Sequence, residues 1–216
     1  MHNIYIAGTG IWHPEEKISN NEIVNSYNSY AEKFNQENKL EIENGIVMAM
    51  ELSSAEFIEK ASGIKSRYVI DKEGILDINR MMPRVKNEHP DRLSIHAEVG
   101  IEAAKRAMVQ ANVIPSEIDA VIVGTSHAAR NYPAVAIEIQ QELGINGYAY
   151  DMLVGCSSTT FAINNAYSDI ASGLANTVLI INPEVSTPFV NFTHRDKHFI
   201  FGDGCAATVV QKDSTS

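Results

Sequence analysis

Cysteine is the residue type whose setting in this sequence invites chemistry, and only two occur, Cys156 and Cys205. Cys156 stands in "DMLVGCSSTTFAINNA", between a glycine and four hydroxyl residues, where a strand-like pattern gives way to a helical one. A thiol at a strand-to-helix junction lies near unpaired backbone N–H groups and the positive end of the helix dipole, both of which favour thiolate. The same N–H groups can hydrogen-bond the oxyanion formed when a thioester carbonyl is attacked. Gly155, Ser157 and Ser158 are small enough to leave room for a substrate. On pattern alone the plainer reading, a small buried hydrophobe, stays open. Cys205, in "GDGCAATVV", runs straight into a β-type stretch and reads as a packed strand residue.

Three other patterns offer less. "GTGIWH" begins like a dinucleotide fingerprint but has His13 where the third glycine belongs. "GDGCAA" fits the looser form ending in alanine, yet a strand follows it, so both read as structural turns. "HRDKH" spaces His194 and His198 as a helical metal pair would be. The zinc-protease glutamate and an evident third ligand are missing, so a solvated loop is expected and no metal site.

The composition bounds what such a thiol could serve. With 44% hydrophobic and 20% charged residues the chain can bury a core as an ordinary globular polypeptide. A formal net charge of −10 argues against a nucleic-acid surface. Two cysteines cannot build a disulfide framework, which makes a reducing, cytoplasmic setting the expectation. The first residues show no cationic segment followed by a long apolar one, and no apolar run is long enough to span a bilayer, so no membrane association is expected.

The elements that must position the thiol follow from periodicity and punctuation. "NIYIAGTG" reads as a buried strand ending in a glycine turn. Ser26 to Leu52 is polar and reads as a helical surface insertion; Asp71 to Pro90 lacks periodicity and reads as a loop. Between them Ser53 or Ser54 can cap a helix that Gly63 ends, with an edge strand beyond. From Asp91 the pattern is regular: a helix over "DRLSIHAEVGIEAAKRAMVQAN", a strand in "DAVIVG", and a helix opened by Pro133 and closed by Gly144. A strand "GYAYDMLVG", the helix after Cys156, the strand "NTVLIINPE" and a last strand complete the order. Strands alternating with helices of this length imply an α/β fold with a largely parallel sheet.

Taken together, "IAGTGIWHPEEKISN", "GIKSRYVI", "YPAVAIEIQQELGI", "DMLVGCSSTTFAI" and "FGDGCAATVV" resemble, in this order, the amino-terminal half of β-ketoacyl-acyl-carrier-protein synthase III. The resemblance runs from Met1 to about Gln211 and leaves out the two apparent insertions, about 26–52 and 71–90. It implies the thiolase-like fold, two similar α/β halves about a pseudo-twofold. Residues 1–216 would be one amino-terminal domain, a mixed and mostly parallel sheet with helices on both faces, with the carboxy-terminal half absent.

The resemblance also implies a decarboxylative condensation in fatty-acid synthesis. The cysteine takes an acyl group from acyl-coenzyme A, and malonyl-acyl carrier protein then loses carbon dioxide and attacks the new thioester. Cys156 matches the nucleophile. Phe57, where the family more often has tryptophan, and Arg195 match the two groups that hold the adenine of coenzyme A. Tyr132 matches an aromatic that reaches the partner's acyl pocket across a homodimer, and Phe201 a pocket-lining aromatic. No cofactor is implied, since the coenzyme A thioester enters as substrate. The family's decarboxylating histidine and asparagine match no residue here, so the chain alone is expected to be inactive. Other readings are a condensing enzyme of a specialised pathway, such as head-to-head acyl joining, or a non-catalytic dimerising half.

Overall fold

The computed structural model describes residues 3–85 and 91–213. In chain order the elements begin with β1 (Ile4–Trp12), β2 (Lys17–Ser19), α1 (Asn20–Glu37), α2 (Lys39–Glu43), α3 (Ala55–Ser62) and β3 (Ser66–Tyr68). There follow α4 (Lys72–Leu76), α5 (Ile95–Ala111), β4 (Ala120–Gly124), α6 (Val135–Leu143) and β5 (Tyr148–Met152). The last are α7 (Ser158–Ala171), β6 (Thr177–Val185) and β7 (Asp203–Lys212). Among the described residues no helix is long and apolar enough to cross a membrane.

The chain divides into two compact units. The first comprises residues 1–13, 87–185 and 204–216 and contains a five-stranded sheet in the order β1-β7-β6-β4-β5. β4 runs parallel to both β5 and β6, whereas β1 and β7 are antiparallel, so the sheet is mixed as expected. Helices cover both faces, and strand alternation shows how. Ala120 and Ile122 of β4, with Val178 and Ile180 of β6, pack on Ala162, Ala166 and Ile170 of α7. The alternate residue Ile181 turns to the other face, where Gly100 of α5 lets it and Ile139 of α6 approach closely. Burial of β4 on both faces explains its unbroken apolar run.

The glycines of "GTG" are not a turn. β1 continues through them to Trp12, and a Cβ on Gly8 or Gly10 would collide with backbone atoms of α5, at Ala107 and Ala111 or at Ala103 and Ala107. They are small so that a helix can lie directly on the strand.

The second unit comprises residues 14–86 and 186–203. β2 and β3 form a short antiparallel ribbon, and Ile18, Ile23, Val24, Ile58, Val69, Ile75, Met81, Phe192 and Phe199 make one core. Here α1 differs from the expected surface insertion. It begins at Asn20, behind a capping box in which Ser19 and Glu22 satisfy each other's backbone N–H groups. Ile23, Val24, Tyr27 and Ala31 lie buried along one stripe. A reading that starts at Ser26 cuts that stripe in two. Beyond α2 the chain returns as an extended strap, clasped by two asparagines seven residues apart and so on one face of α1. Asn35 exchanges two hydrogen bonds with the backbone of Met50, and Asn28 two with that of Ser53. α3 has its expected Ser54 cap and left-handed Gly63. The expected loop after Asp71 holds α4, capped by the Asp71 carboxylate; its part from 86 to 90 lies outside the described residues.

His96, in the first turn of α5, is a buried group without relief. Neither ring nitrogen has a hydrogen-bond partner among the described residues. Its pKa is pulled down from 6.5 to about 4, first by burial and then by His127, against an opposing pull from Glu138. The unfolded chain therefore takes up a proton near pH 6.5 that the folded chain refuses until about pH 4. This group leaves stability untouched above pH 6.5 and lowers it as pH falls from there toward 4, by on the order of 3 kcal/mol in all. Urea unfolding at pH 7.5 and pH 5 should show about 2 kcal/mol of that loss, and His96→Leu should remove most of it. The same pH slope in the variant would assign the loss to other groups. Gly10→Val should destabilise at both pH values by about 1–3 kcal/mol, because the backbone of α5 cannot give way.

Candidate active site

Cys156 lies in a single 3-10 turn, Gly155–Ser157, between the end of β5 and the start of α7. The parallel strands β4, β5 and β6 all end on this side, the usual place for a ligand in an α/β sheet. Gly155 has φ +60, and a Cβ placed there would meet nothing within 4 Å, so its left-handed backbone rather than crowding demands glycine. That turn leaves the Cys156 thiol exposed.

The turn is pinned by one buried hydroxyl. Ser158 Oγ accepts from the Val154 N–H at 3.0 Å and donates to the Thr125 carbonyl at 3.1 Å. Thr125 in turn donates its N–H to Met152 and its hydroxyl to Pro183 at 2.7 Å. Asn182 donates to the Gly124 carbonyl at 2.8 Å. Gly124 has no room for a side chain, since a Cβ would lie 2.9 Å from Asn182 Nδ2 and 3.1 Å from Ser158 Cβ. The three strand ends thus form one frame around the head of α7. Ser157 makes no side-chain capping bond to that helix.

Carboxylates near this frame serve the backbone. α6 opens at Val135 rather than at Pro133, with Ala134 as its cap residue and no side-chain cap of its own. Asp151 of β5 supplies the missing acceptor and takes the N–H groups of Val135 and Ala136, each at 2.8 Å. Burial raises its pKa while those two bonds oppose the rise. Glu138 accepts from the Ser94 N–H at 2.7 Å and from Arg130 at 2.8 Å, and Arg130 also donates to the Arg92 carbonyl. The segment between Arg130 and α6 carries Tyr132, which is 87% exposed.

In the second unit, Phe57 and Arg195 come together as expected of a pair. The Arg195 guanidinium carbon lies 4.3 Å from the Phe57 ring centroid. The two touch, whereas a purine between them needs about 7 Å, two van der Waals layers. Phe201 is half exposed. Its neighbour Asp203 is buried and gathers the N–H groups of Ile70 and Thr187 and the Thr187 hydroxyl, so "FGDG" is a structural knot. Burial raises the Asp203 pKa against those bonds.

His194 and His198 do not share a site. His194 is exposed, but His198 is fully buried, which corrects the expected solvated loop. Among the described residues no cluster of three or more potential metal ligands occurs. The roles of Asp151 and Glu138 are not evident in the sequence; a lone acid in the strand "YAYDM" is the one local signal.

Known proteins resemble this chain in sequence and in fold. The family model for 3-oxoacyl-[acyl-carrier-protein] synthase III matches residues 150–216, which include Cys156, Arg195 and Phe201. A β-ketodecanoyl-[acyl-carrier-protein] synthase of Pseudomonas aeruginosa is 46% identical over 187 residues, 87% of this chain and 53% of that protein. A β-ketoacyl-[acyl-carrier-protein] synthase III of a Chelativorans species is 37% identical over 118 residues, 54% of this chain and 36% of its own length. The crystal structure of 3-oxoacyl-[acyl-carrier-protein] synthase III from Aquifex aeolicus superposes with a TM-score of 0.72 at 27% identity, covering 98% of this chain and 55% of that one. The chain spans about half the length of the relatives that match it most fully.

The two thiols differ in access. Cys205 is buried in β7, and burial pushes its pKa up to about 12. Iodoacetamide at neutral pH should therefore label Cys156 well before Cys205, as peptide mapping would show. Equal or reversed labelling would deny Cys156 its place as the reactive thiol.

Proposed function

We propose that this chain, similar in sequence and fold to 3-oxoacyl-[acyl-carrier-protein] synthase III over about half that enzyme's length, carries the acyl-accepting cysteine of such a synthase. The observation that carries the reading is the exposed Cys156, presented by a left-handed Gly155 at the head of α7. The Cys156 thiolate attacks the carbonyl carbon of an acyl-coenzyme A, and the tetrahedral oxyanion collapses with loss of coenzyme A as its thiol. Malonyl-acyl carrier protein then loses carbon dioxide, and the carbanion left at its C2 attacks the cysteinyl thioester. A 3-oxoacyl-carrier protein leaves and Cys156 is regenerated. Covalent catalysis divides a hard condensation into two acyl transfers. Residues 1–216 on their own, in this reading, accept the acyl group without condensing it.

A size for the acyl group is suggested by the β-ketodecanoyl-[acyl-carrier-protein] synthase, 46% identical to this chain. A β-ketodecanoyl product has ten carbons, and the condensation adds two, so the acyl group delivered to cysteine has eight. The proposed donor is octanoyl-coenzyme A, with Tyr132 as the aromatic that reaches a partner's acyl pocket, Phe201 as a pocket-lining aromatic and the Phe57–Arg195 pair as the seat of the adenine. A homodimer is supported by the first unit. β5 is an edge strand, whose open backbone groups invite a partner, and Tyr132, Phe161 and Tyr167 are exposed aromatics of the same unit. A second copy of this chain is the occupant proposed for that edge. The acidic balance gives no support to a nucleic-acid partner.

Incubation of the intact protein with octanoyl-coenzyme A or acetyl-coenzyme A tests the reading. Mass spectrometry should find one octanoyl group on Cys156, gained faster than acetyl, and none in Cys156→Ser; acylation of that variant would overturn it. Phe57→Ala and Arg195→Ala should each weaken octanoyl-coenzyme A about tenfold but leave octanoyl-pantetheine, which lacks the adenine, within twofold. Equal losses for both donors would remove the pair from the site.

A further inference from the structure

Arg195 is held from several sides within the second unit. Its Nε donates to the Leu52 carbonyl at 2.9 Å, its guanidinium covers Phe57, and carboxylate oxygens of Glu51 and Asp196 lie 3.8 Å away. Leu52 belongs to the strap that Asn28 and Asn35 clasp to α1, so the support beneath the guanidinium is itself tied down.

The main chain of Arg195 has a second support. His198 Nδ1 lies 2.7 Å from the Arg195 carbonyl oxygen and 3.3 Å from that of His194. A carbonyl can only accept, so Nδ1 carries the hydrogen and donates it. The ring stacks on Tyr27, with centroids 4.7 Å apart and planes at 19°, and meets Phe199 edge-on at 5.4 Å. Phe199 meets Phe57 edge-on at 5.9 Å. One file of rings therefore runs from Tyr27 through His198 and Phe199 to Phe57, and Arg195 closes it. Tyr27 also donates to the carbonyl of Glu51, beside Leu52.

A core position asks only for bulk, which leucine or isoleucine would supply without a hydrogen-bonding ring. Histidine adds a donor aimed at one carbonyl, at the cost of a buried Nε2 with no partner among the described residues. Burial, helped by the charges of Arg67 and Arg195, lowers its pKa against the pull of the two carbonyl hydrogen bonds.

We propose that His198 is a positioning residue for the nucleotide end of the acyl donor. Its Nδ1–H fixes the backbone of Arg195, and its ring seats Phe57 through Phe199. The two groups that take the purine are thereby held in register before it arrives. His198 acts through Arg195 and Phe57 and touches no substrate. The inference rests on the reading of those two residues as the adenine seat.

The test compares His198→Asn, whose amide can place a donor near the position of Nδ1, with His198→Gln, whose donor falls nearer Nε2. Both variants are polar amides one methylene apart, and both are assayed at matched folded fraction in the intact protein. Single-turnover acylation of Cys156 is followed with octanoyl-coenzyme A and with octanoyl-pantetheine, beside Phe57→Ala. In His198→Gln the half-saturating concentration of octanoyl-coenzyme A should rise about fivefold, the scale of one net hydrogen bond, with the maximal acylation rate and the pantetheine half-saturation within twofold. His198→Asn should recover most of the loss. Equal rises for both donors, or the same defect in both variants, would overturn the positioning role. If Phe57→Ala is selective for the nucleotide-bearing donor and His198→Gln is not, the positioning role alone fails. If Phe57→Ala is unselective too, the adenine seat fails and this inference falls with it.

Discussion

The hydroxyl of Ser158 holds the proposed nucleophile where it is. It is buried, and it joins two backbone groups that would otherwise lack partners, the N–H of Val154 and the carbonyl of Thr125. Those groups stand on opposite sides of the problem that the chain must solve. Val154 leads from β5 into the turn that carries Cys156, and Thr125 is where β4 gives out. The turn cannot be shaped by regular secondary structure, because its glycine is left-handed and its helix is not capped by its own Ser157. A fixed crosslink from the first residue of α7 to a neighbouring strand end does the shaping instead. With both bonds made, the first turn of α7, the end of β4 and the exposed thiol form one rigid piece. Without them the buried Thr125 carbonyl would cost about 1–3 kcal/mol, and the Val154 N–H, on a half-exposed residue, would have to turn to water.

The same economy governs the acidic residues. A chain of net charge −10 has many carboxylates, and several buried or partly buried ones in the first unit are spent on backbone N–H groups. Asp151 caps α6 across the sheet edge, Glu138 holds Ser94 and Arg130, and Asp119 accepts from Asn176 and Thr177. None of these acids is free to act as a general base without giving up a structural bond. The chemistry left to the unit is that of an exposed thiol at the head of α7. This matches the acyl-accepting half of the proposed reaction.

What could be read from the sequence follows from the range of the forces involved. The strand β4, the helix α5 behind its Ser94 cap and the cysteine junction are local: their apolar periods and cap residues lie within a few positions of one another. The glycines of β1 look like a turn in the sequence because their reason, a helix lying on the strand, is contributed by residues about a hundred positions away. Asp151 as the cap of α6, the buried stripe of α1 and the burial of His198 are hidden for the same kind of reason. In each, a residue is satisfied or covered by a partner that sequence proximity does not announce. Of the site itself, the residue types are legible, but the direct contact between Phe57 and Arg195 is not.

That contact bears on how a nucleotide would enter. The guanidinium lies on the aromatic face that a purine would use, and its Nε donates to the Leu52 carbonyl. A cation–π contact at a partly exposed position is worth about 0.5–1 kcal/mol, and a purine stacked between ring and guanidinium makes two such faces in place of one. The exchange is therefore favourable by a small margin, provided that the guanidinium lifts by about one ring thickness while its backbone stays put. A side chain hinged on a fixed main chain can do this at low entropic cost, whereas a whole loop that had to reorganise could not. The second unit meets that condition by burying a histidine under the arginine's own carbonyl and clasping the neighbouring strap with asparagines. A guanidinium over Phe57 can lift as a side chain only if the main chain beneath it is fixed, and the His198 and asparagine contacts fix it.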